Sequence, residues 1–254
     1  MTKIIKSVSE WRQIAESAEL KGKKIGFVPT MGALHAGHES LIKRSVQEND
    51  RTVVSIFVNP TQFNDPKDFG NYPVTFDEDI QLIEKLNADF LFYPSAYEIY
   101  ADNFSYRIEE NELSKILCGA FRPGHFEGVL TVVLKLLNII QPDRAYFGEK
   151  DYQQYKLIDG MCRAFFLNVE IIPCPTVRED DGLAMSSRNL LLKSEERAHA
   201  VNFPKLLQSN KSPQQIKEEL ENLGFKVDYI EEIEGRRFGA VHLGKVRLID
   251  NVKI

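Results

Sequence analysis

Residues 25–41 read IGFVPTMGALHAGHESL: an apolar run, then a stretch carrying glycines and histidines, then the start of a helical pattern. A strand that turns through glycine into a helix is the opening unit of a parallel α/β layer. Two of the five histidines, His35 and His38, lie three residues apart at this junction. A helix start presents unpaired backbone N–H groups and the positive end of the dipole, which makes it a seat for anions, phosphates above all. Gly32 is expected to let the backbone approach a ligand closely, and Gly37 to leave room between the two imidazoles.

Outward from this stretch the chain alternates. KKIGFV (23–28), TVVSIFV (52–58), DFLFYP (89–94), RAYFG (144–148) and VEIIPC (169–174) are short runs rich in β-branched and aromatic residues. Between them, 38–49, 76–87, 126–140 and 151–166 carry apolar residues at helical spacing. This order predicts an α/β fold with a doubly wound parallel sheet, its ligand at the carboxyl ends of the strands. After Cys174 the pattern changes. PTVREDDGLAMSSRN (175–189) is polar and irregular, followed by helical stretches at 194–207 and 213–223 and strand-like FKVDYI, GAVHLG and VRLIDN. The division expected is a Rossmann-like domain over 1–176 and a smaller α+β domain over 177–254.

Composition narrows the function. The chain has 254 residues, 43% hydrophobic, with a net charge of -5 and a pI near 5.7. That balance argues against a nucleic-acid partner, which needs a basic face. Cys118, Cys162 and Cys174 show no C-x-x-C spacing and suit a reducing compartment. VLTVVLKLLNII (129–140) is too short to span a bilayer and contains Lys135 and Asn138, and the N-terminus lacks a signal-peptide core. A cytoplasmic protein with no membrane partner is expected.

Other distinctive stretches fall in the expected loops. VNPTQF (58–63) places Asn59 and Gln62 past the second strand, or is simply a Pro turn with a polar rim. GEKDYQQ (148–154) puts Lys150 near a helix start, where the dipole disfavours a cation unless an anion offsets it. FRPGHFEG (121–128) reads as a Pro-Gly turn carrying Arg122 and His125, and AMSSRN (184–189) as a possible helix cap. The H-x-x-H spacing also permits a metal reading. A zinc site needs a third ligand, no acidic or cysteine cluster accompanies the pair, and no protein metal ligand is assigned.

LHAGH resembles the H-x-G-H signature of nucleotidylyl transferases, and MSSR the serine-bearing form of their second motif. PTMGALHAGH, SIFVNPTQF, RPGHFEGV, QPDRAYFGEKDYQQ, DGLAMSSRN and RLIDN, in this order, resemble the pantothenate synthetase (pantoate–β-alanine ligase) family over essentially the whole chain. Two departures stand out: a C-terminal part that looks short for the family, and Val74 where an arginine is common. The resemblance implies an ATP-dependent ligase that forms pantoyl adenylate from pantoate and then pantothenate with β-alanine. It implies ATP as a substrate with Mg²⁺ as its counterion, and a homodimer. Carried onto these residues, it implies His38, His35 and Lys150 as catalytic groups. ATP would be bound by Met31, Gly32, Ala33, Leu34, His35, Ala36, Gly37, His38, Gly148, Glu149, Lys150, Asp151, Val177, Met185, Ser186, Ser187 and Arg188. Gln62 and Gln154 would take pantoate, Gln62 also neighbouring β-alanine. Three other readings fit less well. A transferase acting on a phosphorylated substrate should carry more basic residues, a nucleotide sensor should lose His38, Lys150 or the serines, and a tRNA synthetase fragment should have a basic anticodon-binding region.

Overall fold

The computed structural model describes residues 1–64, 69–70 and 72–254, so that Asn71 of the NYPVT stretch lies outside the described residues. Its centre is a parallel sheet in the order β1-β4-β3-β2-β5-β6. The strands are β1 Lys3–Ile5, β2 Ile25–Thr30, β3 Arg51–Ile56, β4 Phe90–Phe92, β5 Arg144–Gly148 and β6 Glu170–Cys174. Five of them fall on the five expected runs. β1 is an addition: Lys3–Ile5 offers only two apolar residues between lysines, and the strand is defined by its pairing with Phe90–Phe92.

Helices cover both faces because alternate strand residues point to opposite sides. Phe27, Val53, Phe92, Ala145 and Phe147 pack with α1 (Val8–Ala15), α4 (His125–Ile140) and α5 (Tyr152–Ala164). Val28, Val54, Leu91 and Tyr146, their neighbours in sequence, pack with α2 (Ala36–Glu48) and α3 (Phe76–Lys85). No helix among the described residues is long and apolar enough to cross a membrane.

The winding reverses between β2 and β5. From β2 the chain moves to β3 and β4 on one side, and β5 and β6 lie on the other. β2 stays in register with β3 through Thr30 and Ile56, but it pairs with β5 only at Gly26–Arg144 and Phe27–Ala145. The carboxyl halves of β2 and β5 are therefore left unpaired with each other, and a crevice opens at the place where doubly wound sheets bind ligands.

The chain then forms α6 (Ser194–Ala200), α7 (Asn202–Leu207) and α8 (Pro213–Asn222), followed by an antiparallel sheet of β7 (Lys226–Ile233), β8 (Arg236–Leu243) and β9 (Val246–Lys253). Phe203, Leu207, Ile216 and Leu220 bury against Val241 and Leu248 of this sheet. The single helix expected over 194–207 is two. Pro204 has no N–H for the carbonyl of Ala200, and the first helix ends there.

Candidate active site

The crevice leads into a cavity of about 240 Å³ lined by residues from every motif of the sequence except the closing RLIDN. His35, Gly37 and His38 come from the start of α2, and Gln62 from the single turn Pro60–Gln62 after β3. Gly148 ends β5 and Lys150, Asp151 and Gln154 follow it, while Val177, Met185, Ser186, Ser187 and Arg188 follow β6. Met31 lies on the same wall.

His35 is the N-cap of α2. Its Nδ1 accepts the Gly37 N–H at 3.1 Å, and the Nδ1 of His38 accepts the His35 N–H at 3.3 Å. A ring nitrogen that accepts cannot carry the proton, so both imidazoles are neutral Nε2–H tautomers. The rings are 4.2 Å apart. Burial, then the neighbouring Lys150, pushes the His35 pKa down to about 4; burial, then His35, pushes His38 down to about 3. At neutral pH the pair offers two N–H donors without charge. Gly37 is required beside them, since a Cβ there would meet His35 Cε1 at 2.8 Å.

Gly32, Ala33, Leu34 and Ala36 do not line this cavity, and neither does Glu149. The Ala33 and Leu34 N–H groups donate to the two carboxylate oxygens of Asp79 at 2.9 and 2.8 Å, and the Gly32 N–H donates to Thr30 Oγ1. Asp79, on α3, is 2% exposed. Gly32 has φ +81°, and a Cβ there would approach Asp79 Oδ2 to 3.0 Å. The glycine thus serves the turn and the buried carboxylate.

Lys150 sits in the single turn Glu149–Asp151, with Nζ 3.6 Å from Asp151. Burial raises the Asp151 pKa, but Lys150 and Arg188 outweigh it and hold the carboxyl below its ordinary value. Ser186 caps the turn Ser187–Leu191, its Oγ accepting the Arg188 N–H at 3.2 Å, so the capping role and the place on the cavity wall coexist. Met185 N–H donates to the Val177 carbonyl at 3.0 Å, and Arg178 pairs with Ala184, which folds 177–185 into a tight hairpin.

Gln62 and Gln154 face the same space. Gln62 Oε1 accepts from Asn59, and its amide N–H contacts Met31 Sδ at 2.9 Å. Adjacent to Gln154, Gln153 is structural, accepting from the Cys118 N–H and donating to the Leu113 and Ile116 carbonyls. Asn59 is no polar rim. It is 1% exposed and bonds Tyr100, Thr61 and the Gly128 carbonyl.

Among the polar cavity residues that the sequence reading gave no part in the site are Tyr72, Arg122 and His125. His125 Nδ1 donates to the Gln62 carbonyl at 2.8 Å, its Nε2 accepts from Arg122 at 3.0 Å, and Arg122 also reaches that carbonyl. Burial, then Arg122, pushes the His125 pKa to about 3, consistent with that tautomer. The RPGHFEG stretch was the available signal, and its Pro-Gly turn masked the role of its cation and imidazole in seating Gln62.

A model of the pantoate-beta-alanine ligase family matches residues 3–253. The chain belongs to this family. It is 52% identical to a pantothenate synthetase of Bdellovibrio bacteriovorus, with 100% of each chain covered, and 52% identical to one of Legionella pneumophila, with 98% of each covered. Its fold matches the pantoate-beta-alanine ligase of Francisella tularensis in complex with beta-gamma ATP and beta-alanine: TM-score 0.95 and 46% identity, over 100% of this chain and 98% of that one. The pantothenate synthetase of Thermus thermophilus gives a TM-score of 0.90 at 37% identity over 99% of each chain. Against these ligases the C-terminal part is not short, since the match spans 98% or more of each of them. Val74, the other departure, is 76% exposed and does not line the main cavity.

Proposed function

We propose that this member of the family condenses pantoate with β-alanine, using ATP, through a pantoyl-adenylate intermediate. One observation carries the reading: at a single strand-end crevice, two uncharged imidazole donors and the cations Lys150 and Arg188 share a cavity with two neutral amides, Gln62 and Gln154. The donors and cations suit a triphosphate, and the amides suit a small hydroxy acid.

In the first step a carboxylate oxygen of pantoate bonds to the α-phosphorus, and the bond to the β-phosphate oxygen breaks, releasing pyrophosphate. Negative charge accumulates on the transferring phosphoryl group, so positioned donors contribute most. His35 and His38 donate through Nε2–H without first losing a proton. Lys150 opposes the charge from the β5 side, and Ser186, Ser187 and Arg188 approach from the β6 side. In the second step the free amine of β-alanine attacks the acyl carbon, the acyl–oxygen bond breaks, AMP leaves, and the nitrogen loses a proton. Excluding water from the cavity protects the mixed anhydride until the amine arrives.

Mg²⁺ fits this cavity as the counterion of the triphosphate. Among the described residues Asp151 is the carboxylate on the wall, and no group of three or more potential metal ligands is present. Asp151 would hold the ion together with phosphate oxygens and water, as this ion prefers, and the ion would neutralise phosphate charge. The proposal extends to a homodimer acting in the cytoplasm, with 177–254 as a smaller domain that closes over the nucleotide.

The test uses pantoate labelled with ¹⁸O in its carboxylate. Pantothenate, AMP and pyrophosphate should form in equal amounts, and one label should pass into AMP. Formation of ADP and phosphate, or unlabelled AMP, contradicts the reading.

A further inference from the structure

The closing motif RLIDN has no part in the chemistry above, yet its last two residues are among the most buried polar groups of the protein. Asp250 is 3% exposed and Asn251 4%. Both lie on β9, an edge strand of the small sheet. Neighbours on a strand point to opposite sides, and here each side meets a different loop of the cavity.

Asn251 donates from its amide nitrogen to the carbonyls of Glu149 and Lys150, both at 2.9 Å. Its oxygen accepts from Arg236, whose guanidinium lies 3.9 Å over the Tyr152 ring and reaches the Glu149 carboxylate. The orientation of the amide is therefore fixed by its partners, and the two peptide planes that flank the Lys150 side chain are held. Asp250 takes Arg178 in a bidentate pair at 2.6 and 2.9 Å. The same guanidinium donates to the Gly182 carbonyl at 3.0 Å, across the hairpin from which Met185–Arg188 emerge.

We propose that the Asp250–Asn251 dipeptide is a positioning element shared by the two phosphate-facing loops: Asn251 sets the direction of Lys150, and Asp250, through Arg178, sets the segment bearing Ser186–Arg188. The small sheet thereby does more than cover the crevice; one of its strands fixes the distance between the cations on either side of the phosphates. A displacement of an ångström at such groups costs on the order of a hundredfold in rate. This inference rests on the proposed adenylate chemistry.

Asn251→Asp keeps the size of the side chain and turns the donor into an acceptor facing two carbonyls. Pantoate-dependent exchange of labelled pyrophosphate into ATP should fall on the order of ten- to a hundredfold, in turnover rather than in the KM for pantoate. In a Lys150→Ala background the same change should cost less than about threefold, because residues that act as a unit are not additive. A purely structural role would give equal losses in both backgrounds. Asp250→Asn with and without Arg188→Ala repeats the cycle for the other loop. Should Asn251→Asp fail to fold by circular dichroism, the smaller, uncharged Asn251→Ser runs the same cycle. Additive losses, or exchange by folded Asn251→Asp at the wild-type rate, would overturn the assignment. Absence of exchange by wild type would instead sink the adenylate reading itself.

Discussion

The catalytic proposal turns on two protons, those on Nε2 of His35 and His38. Because each Nδ1 accepts a backbone N–H and each pKa lies near 3 to 4, neither ring should charge between pH 8 and 5. Long-range ¹H–¹⁵N spectra should show both as Nε2–H tautomers across that range; a protonated His38 at pH 6 contradicts the assignment. The same depression links to stability. Above about pH 6.5 these rings are neutral in both folded and unfolded chains, and as pH falls toward 4 only the unfolded chain takes up their protons. Stability is therefore full above 6.5 and declines below it, and His38→Gln should make the decline in urea midpoint from pH 7 to 5 shallower. At the substrate end, Gln62→Ala or Gln154→Ala should weaken pantoate binding by about 1–3 kcal/mol and leave ATP binding unchanged in calorimetry. The opposite pattern removes the amides from the pantoate site. Residue types were readable in the sequence, but directions were not: the Ala33 and Leu34 amides turn to Asp79, whose partnership across 46 and 45 residues leaves no local trace.

At the level of elements, the loop after β2 is held by α3 through Asp79. Asp79→Ala should strand two backbone N–H groups and destabilise the protein by about 2–3 kcal/mol, measured by urea unfolding. A loss below about 0.5 kcal/mol would mean that water replaces the carboxylate without cost. The segment 180–190 lies between β6 and α6 and supplies Met185–Arg188 to the cavity. Its amides should exchange with deuterium more slowly once an ATP analogue binds, as for a segment that completes a site on closure. Unchanged exchange would leave the serines as caps alone. The main strands were legible because parallel strands buried on both faces read as continuous apolar runs. β1 was not, being defined by pairing rather than pattern. The break at Ala200 could have been read from Pro204, whose missing N–H outweighs the helical spacing around it.

For the molecule as a whole, the crevice between β2 and β5 gathers loops that are distant in sequence, and the small sheet reaches back to two of them through Asp250 and Asn251. That dependence was hidden in the sequence because RLIDN looks like an ordinary terminal strand until its partners are known. The family was legible from six motifs in order, and the comparisons with known ligases agree over the full chain. The central claim is that this architecture stabilises transfer of an adenylyl group to a carboxylate before the amine takes part. Exchange of labelled pyrophosphate into ATP, measured with pantoate and Mg²⁺ and without β-alanine, tests it most directly. Wild type should exchange, and His38→Ala or Lys150→Ala should lower the rate by on the order of 10²–10³. ATP affinity should change far less, because these contacts are strongest at the transition state. Exchange that requires β-alanine, or full exchange by both folded variants, would contradict the account.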